Sequence, residues 1–252
     1  MTVRQVRTIV RTVNECDAFV KVRIGTMESL DSSWRELRND VVLTAQPWRT
    51  VRHFHGQRSL PGWFWSERIG RRLMYESRLE LTRLLVAEFN PLLLDVREQT
   101  FHLTLRFRDG LVIRHIPDFL FTFDGQPPHL VNVKPPGWEH DAKLRLTFET
   151  LASLCAEQGW SYETWTGESL TYIENLRWLA AYRRRSVIPA SDEEILTTLD
   201  LVSTPMSIGD LEQWARGVGV RNARSVVLHL LWMSVLRTDL SVPLSAKSEV
   251  SL

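Results

Sequence analysis

An aspartate and a lysine lie sixteen residues apart in this chain, in two segments that read as strands: Asp118 in HIPDFLFTF and Lys134 in HLVNVKP. We expect Asp118 at the start of one strand. Asn132 and Lys134 should share a face of the next strand, because side chains two apart in a strand point to the same side. A carboxylate and an ammonium group at a sheet edge can hold a divalent cation and a water beside a phosphodiester. The spacing therefore indicates metal-dependent nuclease chemistry.

This pair needs a third member, because a lysine at such a distance from an aspartate arises by chance in many proteins. The helix predicted just upstream contains YESRLELTRLL, in which Glu76 and Glu80 lie one turn apart on the same side. Glu80 also lies beneath Leu84 and borders the apolar stripe. The alternative interpretation is that both glutamates lie on a solvated face of this helix. A carboxylate on the helix that precedes the strands is, however, what a second metal position would use.

The order of predicted elements indicates the fold class. Apolar residues at helical spacing predict a helix from Tyr75 to Phe89. The runs TFHLTLRF, LVIRHI, FLFTF and HLVNVK follow, with Asp-Gly turns at 109–110 and 124–125, and predict an antiparallel meander. A helix from Asp141 to Gln158 then leads to a strand in WSYETW, which should pair in parallel by a right-handed crossover. We expect an α/β fold with a mixed β-sheet flanked by helices, as in the restriction-endonuclease type of core.

Three segments of the chain differ in pattern. Residues 1–60 show no clean period and are rich in aromatic residues and arginine, and we assign them to an N-terminal extension. The stretch PWRTVRHFHGQRSLPGWFWSERIG, residues 47–70, predicts loops packed on a domain by aromatic anchors. Residues 61–186 carry the predicted catalytic domain. Residues 187–252 read as helices with a wide apolar face, which predicts a small helical, winged-helix-like domain that docks a partner.

Composition sets broad limits on the class of protein. The chain has 252 residues, 44% of them hydrophobic, and no apolar run near the roughly 20 residues of a membrane helix, so we expect a cytoplasmic protein. The net charge of +1 does not by itself indicate nucleic acid. Basic residues are concentrated in residues 1–80, with 14 Lys and Arg against 9 Asp and Glu, and at Arg183, Arg184 and Arg185. Both groups are candidates for phosphate contacts, although a solvated face or a helix end explains each equally well.

Other catalytic patterns are missing from the sequence. The seven histidines show no HxxxH or HExxH spacing for a metal. The chain also has no GxSxG nucleophile motif and no glycine-rich phosphate loop.

Three stretches, SRLELTRLLVAEFNPLLLDVREQ, IPDF and VNVKP, resemble in order the core of TnsA, the endonuclease subunit of heteromeric transposases. That family has a Ser-x-x-Glu that opens a helix, a run like DVREQ, a strand-end Asp-Phe and a polar-Val-Lys-Pro. The resemblance covers about residues 61–185. It implies that Glu80, which follows Ser77, is the first catalytic carboxylate. It further implies that Asp118 is the second and Lys134 the catalytic lysine.

The resemblance also implies a cofactor. Magnesium would bind to Glu80, Asp118 and the backbone carbonyl of Val133, with manganese able to substitute. Asn132 stands where most nucleases of this superfamily have Asp or Glu. TnsA resembles this chain in having an amide at that position. The amide would contribute a neutral oxygen. Magnesium tolerates so few anionic ligands because it keeps several waters and also binds substrate phosphate.

The implied function is cleavage of one strand, the non-transferred strand, at each transposon end. The implied partners are DNA, a DDE-type transposase and an AAA+ regulatory ATPase, with no membrane, in the nucleoid-associated cytoplasm of a bacterium. Two alternatives stay open. One is a catalytically silent adaptor that bridges transposase and ATPase, and the other is a stand-alone repair or restriction nuclease.

Overall fold

A computed structural model describes residues 16–26, 28–49 and 60–252. Their longer elements, in chain order, are β1 (Cys16–Arg23), β2 (Ser29–Ser33), α1 (Asn39–Leu43), β3 (Gly62–Ser66), β4 (Arg71–Tyr75), α2 (Arg78–Phe89), β5 (Leu93–Glu98), β6 (Phe101–Phe107), β7 (Val112–His115), β8 (Phe119–Phe123), β9 (His129–Val133), α3 (Ala142–Glu157), β10 (Ser161–Trp165), α4 (Leu170–Leu179), α5 (Asp192–Asp200), β11 (Met206–Ser207), α6 (Ile208–Gly217), α7 (Ala223–Trp232) and β12 (Glu249–Val250). No helix in these ranges is long and apolar enough to cross a membrane.

The chain divides into two compact units. Unit 1 comprises Met1–Pro61 and Leu94–Thr166, and unit 2 comprises Gly62–Leu93 and Gly167–Leu252. Each unit is built from two separate stretches of sequence. A unit boundary lies at Pro61–Gly62, next to the boundary predicted at residue 60, and no unit boundary lies near residue 186.

The first sheet of unit 1 has the strand order β2-β1-β6-β7, with antiparallel pairing throughout. Side chains alternate across it, so that Val20, Val22, Leu103 and Leu105 are buried on one face. Strand β1, in the predicted N-terminal extension, lies between β2 and β6. Of the loops predicted at 47–70, residues 50–59 lie outside the described residues, and the expectation was wrong for Gly62–Ser66, which forms β3. Trp34, which follows β2, is 1% exposed and donates its indole N–H to the carbonyl of Leu154 in α3.

The second sheet of unit 1 has the order β10-β9-β8-β5. Strands β8 and β9 are antiparallel, whereas β9 and β10 are parallel and are joined through α3. The predicted mixed sheet and crossover are therefore confirmed. The single meander was wrong, because β6–β7 belongs to the first sheet and β8–β9 to the second. The chain leaves the first sheet at Ile116-Pro117-Asp118, where proline has no N–H for a ladder hydrogen bond.

Unit 2 combines the hairpin β3–β4 with helices α2 and α4–α7 and the short pair β11–β12. Helix α2 packs against α4, and α4 packs against α7. Phe89 of α2 meets Trp232 of α7 edge-on, with ring centroids 5.4 Å apart. The helices after residue 186 thus share a core with α2, whereas the sequence analysis assigned them to a domain of their own.

This shared core predicts unequal effects for two tryptophans. Trp232→Ala should lower the free energy of unfolding by about 3–5 kcal/mol, because its side chain is 2% exposed and leaves a cavity. Trp214→Ala is the matched control, since Trp214 on α6 is 54% exposed, and its effect should stay within about 0.5 kcal/mol. Urea unfolding followed by circular dichroism measures both. Equal losses in the two variants would contradict the packing described here.

Candidate active site

Asp118 and Lys134 come together at the ends of two neighbouring strands of unit 1. Asp118 immediately precedes β8, and Lys134 immediately follows β9. The Asp118 Oδ2 atom accepts hydrogen bonds from the backbone N–H of Val133, at 2.7 Å, and from Lys134 Nζ, at 3.3 Å. Lys134 Nζ also donates to the carbonyl oxygen of Val133, at 3.0 Å. The contact predicted from the spacing of these residues is therefore present.

This pair is accessible to solvent at one side. The side chains of Asp118 and Lys134 are 17% and 26% exposed. No hydrogen bond from a described residue reaches Asp118 Oδ1, whereas Oδ2 has two donors. One oxygen of the carboxylate is therefore free to bind a further ligand.

Asn132 lies behind the pair and is fully buried. Its Oδ1 is 2.8 Å from His115 Nε2, and its Nδ2 donates to the hydroxyl of Tyr162 at 2.9 Å. The tyrosine hydroxyl in turn lies 3.1 Å from Thr164 Oγ1. Either of these two hydroxyls can be the donor to the other. Both ends of the amide are engaged, which differs from the expectation that Asn132 offers its oxygen to a cation.

This network is electrically neutral near pH 7. Burial lowers the pKa of His115 below 6.5, outweighing the hydrogen bond to Asn132 and the charge of Asp118, which raise it. His115 is then a neutral imidazole that donates from Nε2. Burial also raises the pKa of Tyr162 to about 12. Sequence reasoning missed both residues; the available signal was the place of His115, three positions before Asp118 in HIPDF.

Gln99 holds the other side of Asp118. Its backbone φ of 49° lies in the left-handed region, which is uncommon for a residue other than glycine. The N–H of Gln99 donates to the carbonyl of Asp118 at 3.0 Å, and its Oε1 accepts from the N–H of Arg49 at 2.9 Å. The DVREQ run thus forms β5 and a strained residue that contacts the backbone of Asp118, a combination that is frequent at functional sites.

Glu80 belongs to unit 2, at the start of α2. The hydroxyl oxygen of Ser77 accepts from the N–H of Glu80 at 3.1 Å, and the same hydroxyl donates to Glu80 Oε1 at 3.0 Å. Glu80 Oε2 accepts from the N–H of Glu76 at 2.7 Å. This arrangement resembles a capping box, so the Ser-x-x-Glu motif has a structural role in starting the helix. The prediction that Glu80 shares a cation with Asp118 stays a prediction.

The three consecutive arginines also lie in unit 2, and each has an intramolecular contact. Arg183 lies over the ring of Phe64, 5.5 Å from its centroid, and burial lowers its pKa. Arg184 pairs with Glu67 at 3.4 Å. Arg185 donates to Asp192 and to two backbone carbonyls. DNA binding by these arginines remains a prediction, and it would require these contacts to be exchanged for phosphate.

Carboxylates, histidines and cysteines do not cluster for metal binding in the part of the chain that the structure describes. No group of three or more such residues there could hold a metal ion. The predicted ligand set has only two carboxylates and a backbone carbonyl. Of these predicted ligands, Asp118 and Val133 lie in unit 1.

No protein-family model and no curated protein matches the chain. The likeness to TnsA therefore depends on the residue motifs themselves. The hydrogen bonds around Asp118 show which chemistry these motifs can perform.

The buried His115 predicts a pH dependence of stability. The folded-state pKa lies below the value of 6.5 for an unfolded histidine, so the unfolded chain binds the proton more readily. The stability that neutral His115 contributes to the fold is therefore retained above about pH 6.5. It is lost as the pH falls toward and through the folded-state pKa. His115→Gln, which keeps an N–H donor for Asn132, should flatten the fall in melting temperature on acidification.

The control for this experiment is His140→Gln, at an exposed position before α3. Thermal unfolding of the parent chain and both variants is followed across the acid range. If the melting temperature of His115→Gln falls with pH as steeply as that of the parent chain, His115 does not resist protonation in the fold.

Proposed function

We propose that this chain is a metal-dependent DNA endonuclease of the TnsA type, which cuts one strand at each transposon end. The observation that carries the proposal is the contact of Asp118 with Lys134 at the ends of β8 and β9 in a mixed sheet. Asp118 Oδ1, which accepts no hydrogen bond from a described residue, adds to it. A DDE-type transposase and an AAA+ ATPase are the proposed partners, from the resemblance alone.

The oxygens of unit 1 fit a hard divalent cation. Lys134 Nζ lies within hydrogen-bond distance of Asp118 Oδ2 and of the Val133 carbonyl, the neighbours of the proposed ligand atom Asp118 Oδ1. The oxygens of Asp118 and Val133 thus already stabilise the positive charge of the Lys134 ammonium group. Magnesium accepts one or two carboxylates and completes its shell with water and phosphate, so this small oxygen set suits it. Glu80 is the further ligand that the resemblance implies.

A bound magnesium would supply Lewis-acid polarisation of the scissile phosphate. Lys134 provides a cationic donor at the same place, and its two acceptors fix the direction of its side chain. That ammonium group can attract the phosphodiester, orient a water and stabilise negative charge on the phosphate oxygens as the bond breaks. Asp118 holds the lysine through Oδ2 while Oδ1 stays open to a ligand. The neutral amide network behind the pair adds no competing charge.

The first test changes the pair itself. Asp118→Asn and Lys134→Met should each lower the cleavage rate by at least about 10²-fold, because each removes a charge at the reacting phosphate. Cleavage of a labelled transposon-end duplex is measured with magnesium and the partner transposase. Asp124→Asn and Lys143→Met, both at exposed positions of unit 1, are the matched controls.

Parental nicking by both Asp118→Asn and Lys134→Met would overturn the proposed active site. It would favour the adaptor alternative if the chain still recruits its partners. Cleavage of unrelated duplexes in the absence of any partner would instead favour the stand-alone nuclease.

A second test separates catalysis by Glu80 from helix capping. Glu80→Gln keeps an oxygen that can accept from the N–H of Glu76, so stability should change by less than about 0.5 kcal/mol. Cleavage should still fall sharply, because an amide is a poor substitute for an anionic ligand. Ser77→Ala should do the reverse and cost about 1 kcal/mol of stability through loss of the cap.

Glu76→Gln is the control for removing a carboxylate one turn away. Full cleavage by Glu80→Gln would assign Glu80 to capping alone. Stability is read from urea unfolding and cleavage from the same labelled duplex.

A further inference from the structure

The first sheet of unit 1 has one face that is not covered by the core. Strands β1, β6 and β7 direct alternate side chains away from the buried Val20, Leu103 and Ile113. We call this the open sheet face, formed by Asp17, Phe19, Lys21, His102, Thr104, Arg106 and Arg114. Asp17 is the one acidic member among these residues and lies opposite Arg106 in the register of β1 and β6. A concave cavity of about 720 Å³ lies on it. The opposite face packs against α3 through Leu151 and Leu154.

The open sheet face is basic along β6 and β7. Arg106 and Arg114 have no carboxylate within ion-pair distance among the described residues. Acidic side chains of the same cavity lie toward β2, where Asp31 pairs with Lys21 at 3.7 Å. The pKa of His102 is lowered by burial and by the charges of Arg114, Arg49 and Lys21. Cations therefore surround this part of the sheet.

Aromatic side chains alternate with these cations. Phe19 is 42% exposed, and the guanidinium of Arg106 lies 5.3 Å from its ring centroid. Trp48 meets His102 edge-on, with ring centroids 6.1 Å apart. The indole N–H of Trp48 is buried and has no hydrogen-bond partner in the described part of the chain. Aromatic faces and guanidinium planes are the groups by which proteins bind unpaired nucleotides.

We infer that the open sheet face binds an unpaired DNA strand, with Arg106 and Arg114 on its phosphates and Phe19 and Trp48 against its bases. Strand β7, which carries Arg114, ends three residues before Asp118. This inference rests on the proposed function for the identity of the strand, which would be one freed at the cut end. Duplex DNA offers the same phosphates but keeps its bases stacked, so it is the competing ligand in the test.

The experiment measures binding without cleavage. A fluorescein-labelled single strand of about 20 nucleotides, long enough for more than one small site, is titrated with full-length protein in the absence of metal. Arg114→Ala and Arg106→Ala should each weaken binding several-fold and lower the salt slope by about 0.7, the value for one lost phosphate contact on a single strand. Phe19→Ala should weaken binding roughly tenfold by removing a stacking surface.

Arg145→Ala is the matched control, because Arg145 is exposed on α3 and α3 covers the other face of the sheet. It loses the same charge in the same unit and should bind as the parent does. Melting temperatures are recorded for every variant. If Phe19→Ala does not fold, Phe19→Leu keeps the apolar bulk and removes the aromatic ring.

The outcomes separate this inference from the proposed function. Parental binding by the Arg106, Arg114 and Phe19 variants would overturn it, whatever the cleavage activity. Equal losses of single-strand and duplex binding in Phe19→Ala would overturn the assignment to unpaired DNA. Loss of cleavage in Asp118→Asn with unchanged binding, together with weakened binding in the sheet variants, would support both.

Discussion

The hydrogen bonds of Asp118 are the interaction on which the site of unit 1 depends. The carboxylate accepts from the end of β9 through Val133 N and Lys134 Nζ, and the backbone carbonyl accepts from Gln99 after β5. One residue therefore fixes three strands relative to one another at the point where the chain passes from one sheet to the other. Pro117 makes that passage possible by ending the ladder of the first sheet. The same contacts that hold the fold also orient the ammonium group.

Local patterns predicted the elements well, and long-range pairing limited the rest. The helices α2 and α3 follow apolar periodicity, and the Asp-Gly turns place the hairpins β6–β7 and β8–β9. The division of these hairpins between two sheets was missed, because turn residues specify neighbours in sequence and not the sheet that a hairpin joins. Strand β1 was missed because Phe19 is directed outward, which obscures the alternation of Val20 and Val22 with polar residues.

The site shows the same limit. Asp118 and Lys134 come from adjacent strands joined by a short turn, so their meeting follows from local geometry. Tyr162 reaches Asn132 only because β10 pairs in parallel with β9, and His115 reaches it from the other sheet. Spacing rules for metal ligands do not detect hydrogen bonds among uncharged side chains such as His115, Asn132 and Tyr162. Ser77 and Glu80 show the opposite difficulty, because one motif serves both helix capping and the carboxylate that the resemblance implies.

The buried amide of Asn132 has a consequence for how this sequence can change. Aspartate at this position would lose the donor to Tyr162 and place a charge in the interior. Leucine would leave the imidazole N–H of His115 without its acceptor and the hydroxyl of Tyr162 with Thr164 as its remaining partner. Position 132 is therefore strongly epistatic with 115 and 162. A lineage that replaced this amide would have to pass through an unstable intermediate or change two strands at once, so the three side chains should be inherited as a set.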